Sequence, residues 1–253
     1  MIKDRYIFKN LSDLESFVIS LSSVLGKGDV ITLNGQIGAG KTTFAKFLIS
    51  NLTQTPIEEI SSPTFNLYQT YEGETLDVLH YDFYRIDSEL ELAEIDLDES
   101  YTDKICIIEW ANKYPNILPK DRIEISIECK DQERYYKINP LGKCREAIDS
   151  LNKVEDFLDE HDIKFKEIKK LPGDASKRGY FRVSNSNKNL IVMDVTQEND
   201  ANGKTLMTGG IDDFITICEY LDSINVRVPK LIARNKINTL LLEEDLGECS
   251  YTG

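Results

Sequence analysis

The chain is poor in the residues from which many catalytic centres are built. It has two histidines, His80 and His161, and one tryptophan, Trp110, in 253 residues. Its five cysteines, Cys106, Cys129, Cys144, Cys218 and Cys249, are odd in number, far apart and never in C-x-x-C spacing. Neither a disulfide framework nor a zinc site is indicated, and reduced thiols are expected. No run approaches the length of a membrane span, and the first ten residues lack the continuous apolar core of a signal peptide, so a cytoplasmic location is expected. Basic charge is also short: 30 Lys and Arg stand against 44 Asp and Glu, a net charge of −14. A nucleic-acid surface made by this chain alone would need clustered cations, so any RNA involvement is expected to run through a basic partner. Between Thr42 and Lys120 the sole arginine is Arg85. Kinases of small metabolites generally need arginines in a closing lid, and this scarcity argues against one.

What is present is a phosphate loop. Gly35-Gln36-Ile37-Gly38-Ala39-Gly40-Lys41-Thr42 fits G-x-x-x-x-G-K-[ST], between the apolar run Asp29 to Leu33 and the helix-like run Thr43 to Ile49. Glycines at 35, 38 and 40 allow positive φ and let backbone N–H groups approach phosphate oxygens. Lys41 then reaches the β and γ phosphates, Thr42 can ligate Mg²⁺, and a helix beginning near Lys41 turns its positive end to the anion. The nucleotide-binding set is therefore expected to be Gly35, Gly38, Ala39, Gly40, Lys41, Thr42 and Thr43.

The length admits two domains, and the pattern divides them at 1–147 and 148–253. Ser12-Asp13-Leu14-Glu15 has the form of a capping box ahead of a helix. Runs from Asn66 to Tyr71 and Thr75 to His80 predict a hairpin, and Lys104 to Trp110 a buried parallel strand ending in an acid. Two more strands, Arg122 to Cys129 and Tyr135 to Asn139, precede Pro140-Leu141-Gly142. Beyond it the spacing predicts a helix from about Cys144 to His161, strands at Tyr180 to Val183, Leu190 to Val195 and Thr239 to Glu243, and a helix from Asp212 to Leu221. Asp87 to Asp103 carries eight acids and no base, interrupted regularly by apolar residues. It reads as a solvated helix face, with a docking patch for a basic partner as the alternative.

Three further segments carry groups that nucleotide hydrolysis needs. Ser61-Ser62-Pro63-Thr64-Phe65 is a restricted, hydroxyl-rich loop, able as a switch to sense a γ-phosphate through Thr64 or Ser62. In His80-Tyr81-Asp82-Phe83-Tyr84-Arg85, Asp82 follows a strand and could hold the Mg²⁺ shell. His80 reads as a packed histidine, and Arg85 as either a carboxylate partner or a charge offset for phosphate. Glu109, at the end of the apolar strand, would face the ligand crevice of an open sheet and could orient the attacking water. Trp110 is either plain core or a cover over the site.

These four segments, in this order, resemble the TsaE family, small bacterial ATPases of the tRNA threonylcarbamoyladenosine pathway, over roughly residues 5 to 147. The resemblance implies an α/β P-loop fold with a central, mostly parallel sheet. It implies Mg²⁺-dependent ATP hydrolysis in association with TsaB and TsaD proteins, whose transferase modifies the adenosine next to the anticodon, with tRNA met only through the complex. Carried onto this chain, Lys41 and Thr42 bind phosphate and Mg²⁺. Thr64 lies in the switch-like loop, and Asp82 and Glu109 are the acids required for turnover. With Thr42, these two acids complete the candidate metal set, some of it through water.

Roughly residues 145 to 253 resemble the α+β N-terminal lobe of aminoglycoside-phosphotransferase-like kinases, especially those acting on amino sugars. The matching pieces are Gly173-Asp174-Ala175-Ser176, Ile191-Val192-Met193-Asp194, Val228-Pro229-Lys230-Leu231-Ile232 and the hinge-like Leu240 to Gly247. Met193 stands where a protein kinase carries its phosphate-pairing lysine. A second lobe would have to follow Gly253, so no phosphate transfer is expected of this part. Two other readings of the chain stay open: a P-loop kinase for a small metabolite, and a nucleotide-binding scaffold without turnover.

Overall fold

In the computed structural model, residues 2–63, 67–93, 97–130, 133–171, 178–185, 188–196, 210–237 and 239–247 are described. The first strand, β1 (Arg5–Phe8), leads into helix α1 (Leu11–Ser22). Its N-cap is Asn10, not Ser12. The Asn10 side chain accepts from the Asp13 N–H at 2.9 Å, and the Asp13 carboxylate accepts from the Lys9 N–H at 3.1 Å. This reciprocal pair satisfies two donors two residues earlier than the Ser12 to Glu15 box would.

The chain continues through β2 (Val30–Gly35), α2 (Lys41–Thr53), β3 (Tyr68–Tyr71) and β4 (Val78–Asp82). Short helices α3 (Glu89–Ala93) and α4 (Leu97–Asp103) precede β5 (Ile105–Glu109), β6 (Arg122–Lys130) and β7 (Glu133–Leu141). Seven strands form one sheet in the order β1-β7-β6-β2-β5-β4-β3. The central four, β6-β2-β5-β4, are parallel, while β1, β7 and β3 pair antiparallel at the margins. β5 is buried along its whole length. Each isoleucine it removes from water contributes about 1.5–3 kcal/mol, which is why this run tolerates no polar residue before Glu109.

Strand alternation sorts the two faces. Leu79 and Tyr81 of β4 join Cys106 and Ile108 of β5 in one core, with Phe83, Ile86, Leu92 and Leu97. His80, Asp82 and Glu109 fall on the other face, where α2 contacts both strands. The acidic stretch is thereby explained: Ile86, Leu92 and Leu97 are anchored in the core while Asp87, Glu89, Glu91 and Asp103 are exposed.

The chain divides into compact units at Asp149/Ser150, two residues past the boundary read from the sequence. Helix α5 (Lys143–Glu160) carries it across. The second unit adds β8 (Glu167–Lys170), β9 (Gly179–Ser184), β10 (Asn189–Asp194), α6 (Ile211–Ser223), β11 (Leu231–Arg234) and β12 (Leu240–Glu244). These five strands form an antiparallel sheet ordered β11-β12-β10-β9-β8. β8 and β11 have no clear apolar period because they are edge strands, short and carrying Lys or Arg, as exposed edges favour. Met193 packs in a core with Val195, Ile211 and Leu241. The Gly173 to Ser176 turn lies outside the described residues.

Candidate functional site

At the C-terminal edge of the parallel strands, the turn from β2 into α2 opens on a cleft of about 500 Å³, within the range of small-ligand sites. Gly35, Gly38 and Gly40 have φ of +152°, +76° and +108°. At Gly35 the requirement is also steric, since a Cβ there would stand 2.4 Å from the Ile127 carbonyl oxygen of β6. Gly40 caps α2, so Lys41, Thr42 and Thr43 form its first turn, with N–H groups and the positive helix end directed at the cleft. Gly38, Gly40, Lys41, Thr42 and Thr43 line the cleft, and Ala39 is buried behind it.

Asp82 and Glu109 are register partners at the ends of adjacent strands β4 and β5, and both line the same cleft. The Glu109 carboxylate is fixed at both oxygens. Thr42 Oγ1 donates to Oε2 at 3.0 Å, and His80 Nε2 lies 3.0 Å from Oε1. An ionised carboxylate can only accept, so Nε2 carries the proton of that bond. His80 Nδ1 has no hydrogen-bond partner among the described residues. Asp82 is held likewise, by the Ser62 hydroxyl at 2.9 Å and the Tyr84 N–H at 3.0 Å.

Lys41 Nζ donates to the carbonyls of Gly35 and Gln36 at 2.8 and 2.9 Å and lies 3.7 Å from the Trp110 ring centroid. Burial pushes its ammonium below the usual lysine value, and the charges of Glu109 and Asp82 oppose that shift. Trp110, tilted against Tyr84 with ring centroids 5.0 Å apart, lines the cleft and also touches the core. Its φ of +59° turns the chain sharply after Glu109. Burial pushes the thiols of Cys106 and Cys144 up to about 12.

Whether these residues fit Mg²⁺ can be judged from their donor atoms. Carboxylates at 82 and 109 and a hydroxyl at 42 are the hard oxygen ligands this ion takes. The Thr42 hydroxyl gives its proton to Glu109 and keeps lone pairs for a cation. Among the described residues no three His, Cys, Asp or Glu gather tightly enough to hold a metal alone. That matches an ion whose shell is completed by phosphate and water.

Thr64 lies outside the described residues; its neighbour Ser62 is at the cleft. Arg85 is exposed and does not line it. Three contributors were not legible as such in the sequence: His80 as the holder of Glu109, Tyr84, and Arg134 from β7. For His80 the signal was its two-residue spacing from Asp82, which places both on one strand face. Arg134 also qualifies the scarcity of arginine, since a residue outside 42–120 reaches the cleft.

The sheet, the loop and the acids define a P-loop nucleotide-binding α/β protein. A family model described as threonylcarbamoyl adenosine biosynthesis protein TsaE matches residues 8–136. The chain belongs to the TsaE family. Among similar proteins, the tRNA threonylcarbamoyladenosine biosynthesis protein TsaE of Bacillus subtilis is 36% identical over 134 residues, covering 52% of this chain and 82% of the relative. The protein of the same name in Rickettsia bellii is 30% identical over 134 residues, covering 53% and 92%. The crystal structure of Bacillus subtilis YdiB is 27% identical, with a TM-score of 0.48, covering 61% of this chain and 98% of that one. The family match ends at residue 136.

Proposed function

We propose that the first unit is a Mg²⁺-dependent ATP hydrolase serving tRNA threonylcarbamoyladenosine biosynthesis in the cytoplasm, in complex with TsaB- and TsaD-like proteins. The observation that carries hydrolysis is the clamped Glu109 carboxylate, held by Thr42 and His80 at the mouth of the phosphate loop. In this reading the loop N–H groups, the α2 N-terminus and Lys41 bind the phosphates. Thr42 and Asp82 would hold Mg²⁺, which supplies charge neutralisation when bound. Glu109 orients the attacking water and accepts its proton, and Ser62, with Thr64 beyond it, reads the γ-phosphate. The names of the relatives supply the pathway, and the net charge of −14 fits a protein that meets tRNA through its partners.

For the second unit we propose an origin as a phosphotransferase-like lobe without transfer activity; the position where a protein kinase carries its phosphate-pairing lysine holds Met193, packed in apolar core.

The test compares two variants in nucleotide titration and phosphate release, each with and without the candidate partners. Lys41→Ala loses ATP binding. Glu109→Ala keeps binding and loses hydrolysis, and partner co-purification depends on ATP. Normal turnover by the Glu109 variant would remove it from the mechanism, and fast phosphorylation of a small acceptor by the isolated chain would favour a kinase.

A further inference from the structure

One cation at the loop has no role in the chemistry above. Arg134, the second residue of β7, lies directly opposite Cys129 of β6. Its Nε donates to the Ala39 carbonyl at 3.2 Å, and its Nε and Cδ lie 3.4 and 3.6 Å from where a Cβ on Gly40 would stand. The guanidinium is therefore laid along the phosphate loop, against the residue that caps α2. Elsewhere Arg122, Arg182 and Arg234 each pair with a carboxylate. In a chain with 44 acids, Arg134 makes no carboxylate pair among the described residues, and Nε is the one nitrogen with a bond. Arg134 lines the cleft, and its Nη groups make no hydrogen bond or ion pair among the described residues.

The sheet order says which part of a nucleotide they meet. β7 runs antiparallel to β6, so its first residues lie at the same edge as the C-terminal ends of the parallel strands. Along that edge stand Arg134 on β7, then β6, the loop after β2, Glu109 on β5 and Asp82 on β4. At about 4.8 Å per strand, Arg134 and Asp82 are two strands away from the loop on opposite flanks. A triphosphate with its β-phosphate in the loop and its terminal phosphate at the acids leaves its α-phosphate and nucleoside on the Arg134 flank.

We propose that Arg134 is a nucleotide-binding residue whose Nη groups receive the α-phosphate side of the bound nucleotide, the part common to di- and triphosphates. The inference rests on the ATP reading of the cleft.

The experiment measures Kd for ADP and ATP by calorimetry on the full chain carrying Arg134→Ala, Arg134→Lys or Arg134→Gln, with Lys41→Ala as control and melting of the nucleotide-free proteins as a check on folding. In Arg134→Ala both Kd values rise by the same factor, about 10–100-fold, as expected for loss of a charge-assisted bond. Arg134→Lys recovers part of the loss. Arg134→Gln, which keeps a donor for the Ala39 carbonyl but no charge, does not. A loss confined to ATP would place the group at the γ-phosphate and overturn the proposal. Recovery by Gln would make it a prop for the loop and overturn it too. If Arg134→Ala does not fold, the Lys and Gln variants still decide. Unchanged affinities beside a Lys41→Ala variant that binds nothing would end the Arg134 assignment alone, whereas a natural chain that binds no ATP would end both readings.

Discussion

At the scale of single residues, the site depends on carboxylates that cannot wander. Glu109 is 2% exposed and His80 is fully buried, so the bond between them is not exchanged for one to water. His80 is on this account a positioning residue: it touches no phosphate and acts by fixing Glu109. His80→Ala should lower the maximal hydrolysis rate by about 10–100-fold, the order expected when a reacting group is displaced by about 1 Å. The Kd for ATP should stay within about threefold. His80→Gln, whose amide can donate to Oε1, should recover part of the rate, which a purely packing role would not give. Phosphate-release kinetics and nucleotide titration on the same samples separate the two, and an equal loss of rate and affinity would refute the positioning role. The sequence made Glu109 and Asp82 visible, because acids closing apolar strands have few structural uses. It left the bond from His80 hidden, because histidine on a buried face ordinarily means packing.

At the scale of elements, alternation within strands is what puts chemistry on one side of the sheet and core on the other. β12 of the second unit shows what happens when it delivers an acid inward. Glu243 is buried, with Oε2 unpartnered among the described residues, and burial raises its carboxyl from 4.5 to about 7. Between those values the unfolded chain has released the proton while the folded chain keeps it. The stability that this group contributes is therefore full below about pH 4.5 and is lost as the pH rises through about 7. The difference corresponds to about 3 kcal/mol. Glu243→Gln should flatten that decline and stabilise the unit at pH 8 by up to that amount, read from denaturant midpoints at pH 5 and pH 8. An equal slope in the variant would mean another group titrates. The elements themselves were unevenly legible. β5, β6 and β10 announce themselves by continuous or alternating apolar residues, whereas β8 and β11 do not, since an edge strand is held by backbone pairing that its side chains need not advertise.

At the scale of the whole molecule, two units with separate sheets share one chain, and the described residues that line the cleft all belong to the first. ATP with Mg²⁺ should therefore slow amide exchange at the loop following β2, the first turn of α2 and the ends of β4 and β5, and leave β8 to β12 unchanged. Hydrogen exchange followed by mass spectrometry reads this directly, and protection spreading into the second sheet would overturn the confinement of the nucleotide to the first unit. What the amino-acid sequence determined by itself was local. The Gly35–Thr42 spacing marks a loop whose positive φ values at 35, 38 and 40 favour glycine, hydrophobic period marks the strands and helices, and charge balance argues against a nucleic-acid surface built by this chain alone. What the tertiary structure alone decided was convergence. The parallel pairing of β4, β2 and β5 brings Asp82 and Glu109 to Thr42, and the β6–β7 hairpin returns Arg134 to the same edge from nearly a hundred residues down the chain. Such placements depend on strand order, which is settled by long-range burial and backbone pairing and leaves no mark in the local pattern.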